Sequence, residues 1–226
     1  MSHIINQYNS LKTHIANQTQ NPIYIVCVSK YSTVEEMQQL TSLNTPLIFG
    51  ESKLQVAKEK MPYFKTAKHL SWHMIGHLQR NKAKIAVELF DVIQSVDSIK
   101  LAKSLNKYAA EIQKVQEIYL QVNISEEPQK HGVLPHQKET VLEELLTLKH
   151  LNVSGIMVMA KHTQEKAVIE ACFHKTYTWF SKIKQDIPSI KQLSMGMSYD
   201  YPIAIACGAT MIRCGSIIFK DQSSKN

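Results

Sequence analysis

Apolar residues along this 226-residue chain gather in short, regularly spaced runs. They are YIVCVSK at 24–30, PLIFGE at 46–51, LSWHMIG at 70–76, DVIQSV at 91–96, EIYLQVNI at 117–124, NVSGIMVM at 152–159, QLSMGMS at 192–198 and TMIRCGS at 210–216. Several are almost continuously apolar. Strands of a parallel sheet covered on its outer face read this way, whereas a half-exposed strand alternates apolar with polar positions. Between the runs, apolar residues recur at helical spacing: Ala102, Leu105, Ala109 and Ile112 before the fifth run, and Val168, Ala171, Cys172 and Trp179 before the seventh. Ahead of the first run, Ile4, Tyr8, Leu11 and Ile15 share one face of an additional N-terminal helix within 1–20. Strands followed by helices, eight times over in about 200 residues, predict an α/β fold: a single (β/α)8 TIM-type barrel rather than an open doubly wound sheet.

No Gly/Ser-rich or Pro-rich linker interrupts the pattern, so one domain over 1–226 is expected, ending in a polar tail at 220–226. With 44% apolar and 20% charged residues, the composition is that of a soluble globular protein. No segment approaches the roughly 18 uninterrupted apolar residues of a membrane span, and the N-terminus lacks a signal-peptide run, so a cytoplasmic protein with no membrane partner is expected. Cys27, Cys172, Cys207 and Cys214 form no CxxC pair and sit among apolar residues, which suggests reduced core positions. The formal charge of +7 is spread along the predicted helices and few aromatics interleave with it. A nucleic-acid partner is therefore not expected, and the basic balance also suits a site for a phosphorylated small molecule.

In a barrel of this kind, functional groups collect where strands end and their following loops begin. Lys30 closes the first run, just before a helix announced by Thr33 and Glu36 at capping-box spacing. A lysine there is expected to point into the barrel mouth, where apolar neighbours would desolvate the amine and prepare it for nucleophilic attack. The last two runs end in SMGMS and RCGS, combining glycine with small hydroxyl side chains. Loops after strands 7 and 8 of this fold commonly hold a phosphate, which nominates Ser198, Gly215 and Ser216, with Met197 beside them. Strand alternation turns Arg213 to the same face as Gly215. A guanidinium carried into an apolar barrel needs an acceptor, and a ligand ring nitrogen, Asp200 or Glu51 are the alternatives. His73 and His77 stand four apart, but Gly76 and the strand-like WHMIG break helical geometry between them, so no metal site is expected and His73 is assigned to hydrogen bonding in the mouth. Asn123, Met157 and Met159 are further positions that could line the cavity.

Together, VSKYSTVEE, IFGESKLQ, WHMIGHLQRNK, LQVNISEEPQKHG, SGIMVM, LSMGMSYDYPIAI and IRCGSIIF resemble the ordered motif set of the pyridoxal phosphate homeostasis protein family, relatives of the N-terminal barrel of alanine racemase. The resemblance runs from about residue 22 to 219. It implies that Lys30 holds pyridoxal 5′-phosphate (PLP) as a Schiff base, that Ser198, Gly215 and Ser216 bind its phosphate, and that Arg213 bonds its ring nitrogen. Three departures stand out: FGES replaces the usual FGEN, placing Ser52 where an amide contacts the cofactor; RCGS replaces RxGT; and no glycine follows IIF. The implied role is PLP (vitamin B6) homeostasis and amino-acid balance by a cofactor-binding monomer, with PLP-dependent apoenzymes as possible recipients. The alternative is a weak amino-acid racemase, using His73 or Tyr199 as a base. Racemases of the related family take their second acid/base group from a C-terminal domain, and only about seven residues follow IIF, so robust catalysis is not expected.

Overall fold

The computed structural model describes residues 2–220, and the expected polar tail lies outside them beyond Lys220. Eight strands form in the eight apolar runs: β1 (Tyr24–Val28), β2 (Leu47–Glu51), β3 (Leu70–Met74), β4 (Val92–Val96), β5 (Gln116–Val122), β6 (Leu151–Val158), β7 (Gln192–Met197) and β8 (Met211–Cys214). They close in sequence order into a barrel, β1 pairing in parallel with both β2 and β8. Closure removes both sheet edges, which is why none of these strands needs a protective edge device.

Around the barrel run α1 (His3–Gln18), α2 (Val34–Thr41), α3 (Leu54–Lys60), α4 (Ala83–Leu89), α5 (Ile99–Glu111), α6 (Lys138–Leu146), α7 (Lys166–Asp186), α8 (Tyr201–Ala206) and α9 (Ser216–Phe219). The N-terminal helix buries the four residues its periodicity selects, Ile4, Tyr8, Leu11 and Ile15. Helix α2 starts with both capping-box bonds: Glu36 N donates to Thr33 Oγ1 at 3.2 Å, and Thr33 N donates to Glu36 Oε2 at 2.8 Å.

Two helical faces differ from the expected ones. Ile112 lies past the last turn of α5 and is exposed, the buried face being Leu101, Ala102, Leu105 and Ala109. In α7 the buried stripe is Ile169, Phe173, Thr176, Trp179, Phe180 and Ile183, whereas Ala171 is exposed and Val168 and Cys172 are half-buried. The strongest apolar stripe of this helix passes through its aromatics, and truncating the fully buried Phe173 to alanine would cost about 3–5 kcal/mol.

Strand alternation divides the interior into two layers. Cys27, Phe49, Ile118 and Ile212 join the large cluster between sheet and helices, while Val26, Val92, Tyr119, Met157 and Met211 fill the lumen, with Val28 and Met159 packed against them. All four cysteines are free; Cys27, Cys207 and Cys214 are buried and Cys172 is half-buried. Cys27 and Cys214 are register partners on β1 and β8, and burial pushes both thiols up, Cys214 to about 12.

Candidate functional site

The ends of β7, β8 and β1 lie side by side, so residues from 17 (Ser198 and Gly215) to 187 (Val26 and Arg213) positions apart in sequence become neighbours. Register pairs Val26 with Arg213 and Cys27 with Cys214, and the next step sets Val28 against Gly215. A Cβ at Gly215 would stand 2.8 Å from the Val28 carbonyl oxygen, so only glycine lets β8 leave the barrel this close to β1. Ser198 Oγ accepts from Gly215 N at 3.2 Å and from Ile217 N at 3.5 Å, drawing the backbone donors on either side of Ser216 toward the loop after β7. That loop is shaped by Gly196, whose φ of +90° suits glycine, and by the buried Asp200, whose Oδ1 accepts from Met197 N at 2.6 Å. The cluster offers converging N–H and O–H groups, the arrangement that receives a phosphate.

Beneath this cluster a directional hydrogen-bond chain crosses the lumen. Arg213 donates through Nη1 to Ser194 O and Ser194 Oγ, both at 2.8 Å, and through Nη2 to Val158 O at 2.9 Å. Because arginine only donates, Ser194 Oγ is an acceptor there and passes its own proton to Gln94 Oε1 at 2.7 Å. The amide nitrogen of Gln94 then faces His73 Nδ1 at 2.7 Å and Met211 Sδ at 3.3 Å. His73 must accept at Nδ1, which leaves its proton on Nε2. Burial lowers the His73 pKa to about 3, in agreement with that neutral ring. Burial also lowers Arg213, to about 10, well above neutral pH, so the guanidinium remains cationic.

Met197, Ser198, Arg213, Gly215, Ser216 and Lys30 therefore share one sector of the mouth, formed by β7, β8 and β1. Ser52 adjoins it, since Val28 pairs with Gly50 and the register continues toward Lys30 and Ser52; it is half-buried, with its backbone pressed against Gly76. His73 belongs to the lumen chain, whereas His77 turns away to Asp97. Two expectations are corrected. Lys30 is exposed, not enclosed by apolar neighbours: β1 ends at Val28, and the lysine sits in the following turn with its amine 4.9 Å from the Tyr31 ring centre. Arg213 finds its acceptors in Ser194 and Val158, whereas Glu51 faces the helical layer and pairs with Lys60 at 3.0 Å. Asn123 organises the loop after β5 by donating to Glu127 O and Lys130 O, while Met157 and Met159 do line the lumen.

Sequence reasoning missed Gln94 and Ser194. Each is a buried polar residue on the lumen-facing alternation of a strand rich in apolar residues, which was the available signal.

The model of the alanine racemase N-terminal domain family matches residues 6–223. The pyridoxal phosphate homeostasis protein of Pasteurella multocida is 35% identical over 212 residues, covering 91% of each chain. That of Haemophilus influenzae is 35% identical over 206 residues, covering 90% of this chain and 86% of its own. PipY of Synechococcus elongatus, solved with PLP bound, superposes with a TM-score of 0.86 at 33% identity, over 96% of this chain and all of its own. Alanine racemase of Clostridium difficile, at 14% identity and a TM-score of 0.76, shares the fold. By these matches, and by the barrel they share, the chain belongs to the pyridoxal phosphate homeostasis protein family.

Proposed function

We propose that this protein binds PLP, held covalently by Lys30, and acts in PLP and amino-acid homeostasis rather than in robust catalysis. The observation that carries this reading is the grouping, on three adjacent strand ends, of an accessible amine, a fixed guanidinium and a cluster of N–H and O–H donors. PLP presents complementary groups: an aldehyde, a ring nitrogen and a phosphate. The residues present fit it: the donors of Ser198, Gly215 and Ser216, gathered where Gly215 lets β8 approach β1 closely, suit a phosphate. Three Arg213 bonds to protein engage part of its five-donor fork, and the rest remains for a ligand. Ser52 and Met197 flank the cofactor in this reading, and His73 acts from below through Gln94.

When bound, PLP supplies an electrophilic carbon and an electron-accepting ring. A permanently cationic Arg213 beside the ring nitrogen disfavours its protonation and so weakens the ring as an electron sink. Neutral His73, with a pKa of about 3, is a poor proton acceptor. The relatives' names and the PipY complex with PLP support the cofactor assignment. A cytoplasmic location is part of the proposal; among the described residues no helix is long and apolar enough to cross a membrane. PLP-dependent apoenzymes are the proposed recipients and a monomer the proposed state.

The test is PLP loading followed by borohydride reduction and peptide mass mapping. A phosphopyridoxyl adduct on Lys30, absent from Lys30→Ala, is expected. Wild-type protein that cannot be loaded, or an adduct confined to other lysines, would overturn the assignment. A slow racemase is the second reading, favoured by Tyr199, which stands 69% exposed in the loop after β7. α-Proton exchange of L-alanine in deuterated water above the rate with free PLP, lost in Tyr199→Phe, would establish it.

A further inference from the structure

The strand ends after β3, β4 and β5 carry a second cluster that the PLP reading does not use. His77 follows β3, Asp97 directly follows β4, and His131 lies in the loop after β5. His77 Nδ1 is 2.9 Å from Asp97 Oδ2, and His131 Nδ1 is 3.9 Å from the same oxygen. One ligand atom from each of the three residues lies within 4.8 Å of the others. Two donors held about 2.0–2.1 Å from one zinc-sized ion at a near-tetrahedral angle stand roughly 3.4 Å apart. The two separations to Asp97 bracket that value.

Placement of the three groups is built into the fold. The Asp97 side chain is only 10% exposed, so its carboxylate is held by its surroundings, whereas the imidazoles of His77 and His131 are 41% and 55% exposed and open to an ion from solvent. Gln121 on β5 fixes the third loop, its Nε2 donating to His131 O at 2.8 Å. A cavity of about 470 Å³ beside Asp97 and Gly132 gives water access for an open coordination position. The two imidazoles stack with centroids 3.7 Å apart and planes 9° from parallel. Parallel rings aim their lone pairs side by side, so one ring must turn about its Cβ–Cγ bond to converge on a shared ion.

We infer that His77, Asp97 and His131 bind one divalent transition cation of the zinc class, with water completing the coordination. Two imidazoles and one carboxylate favour zinc, copper or nickel over magnesium or calcium, which prefer all-oxygen sites. Such an ion would tie together three loops on the opposite side of the mouth from β7, β8 and β1. No i,i+4 pairing with His73 is involved; the partner of His77 comes from a loop 54 residues away.

The experiment uses full-length protein without a histidine tag, stripped by chelator and titrated with zinc chloride by calorimetry, then with cobalt(II) followed by visible absorption. One equivalent is expected to bind with micromolar affinity and to give a tetrahedral cobalt spectrum without thiolate charge transfer. Affinity should fall at least about tenfold in His131→Ala and in Asp97→Asn, since even supporting groups around metal ligands cost that much. Unchanged apo-protein melting in His131→Ala shows that the loss is not unfolding. Failure to bind a stoichiometric ion, affinity unchanged in the His77→Ala/His131→Ala pair, or a cobalt spectrum with thiolate character, which would locate the ion at a cysteine such as Cys172, would each overturn the inference.

Discussion

Ser194→Ala removes one oxygen from the middle of the lumen chain, with consequences at both ends. Ser194 is fully buried; its hydroxyl accepts from Arg213 at 2.8 Å and donates to Gln94 at 2.7 Å. Without it, Gln94 Oε1 is left in the barrel interior with no donor, a loss of about 1–3 kcal/mol, while a hydrogen bond to a charged group is worth about 1.5–3 kcal/mol. Arg213 keeps its bonds to Ser194 O and Val158 O, so the low end of the second range applies and the sum is about 3 kcal/mol. For a chain of this size that corresponds to a fall in Tm of roughly 6–12 °C, taking about 2–4 °C per kcal/mol. Urea unfolding of the wild type, Ser194→Ala, Gln94→Leu and the double variant measures it. The double variant should lose less than the sum of the singles, because removing Gln94 also removes the orphaned carbonyl. A Ser194→Ala midpoint within about 0.5 kcal/mol of wild type, or strict additivity in the cycle, would refute the chain as drawn.

The neutral state of His73 has a pH signature. Its pKa is about 3 in the folded protein against 6.5 for an ordinary histidine, so between those values the unfolded chain binds more protons and stability falls as pH falls. From pH 6.5 to 5 the wild type should lose about 1.6 kcal/mol more than His73→Gln, the slope rising toward about 1.36 kcal/mol per unit as the unfolded histidine becomes fully protonated, and equal acid sensitivity of the two by urea titration would contradict it. Lys60→Met strands the Glu51 carboxylate, which is 0% exposed and takes bonds from Lys60 Nζ and Ser29 Oγ. A loss of about 3–5 kcal/mol is expected, largely recovered in Lys60→Met/Glu51→Gln, with thermal melts of the two variants as the check.

Local pattern carried much of this protein. Period-2 and near-continuous apolar runs determine all eight strands, the spacing of four, three and four at Ile4, Tyr8, Leu11 and Ile15 determines the face of α1, and Thr33 with Glu36 determines where α2 begins, because each depends on residues close together along the chain. Alternation along β8 likewise turns Arg213 and Gly215 to one face, and the Gly/Ser loops after β7 and β8 nominate the phosphate site proposed for this chain. The partners of those residues are another matter. That Arg213 meets Ser194 and Val158 rather than Glu51, that Gln94 joins His73 to Ser194 a hundred residues further on, that Lys30 emerges past the last strand residue into solvent, and that His77 finds Asp97 and His131, all follow from strand order, register and closure. Hydrophobic periodicity says which side of a strand is buried; only the closed barrel decides which residues face one another across it.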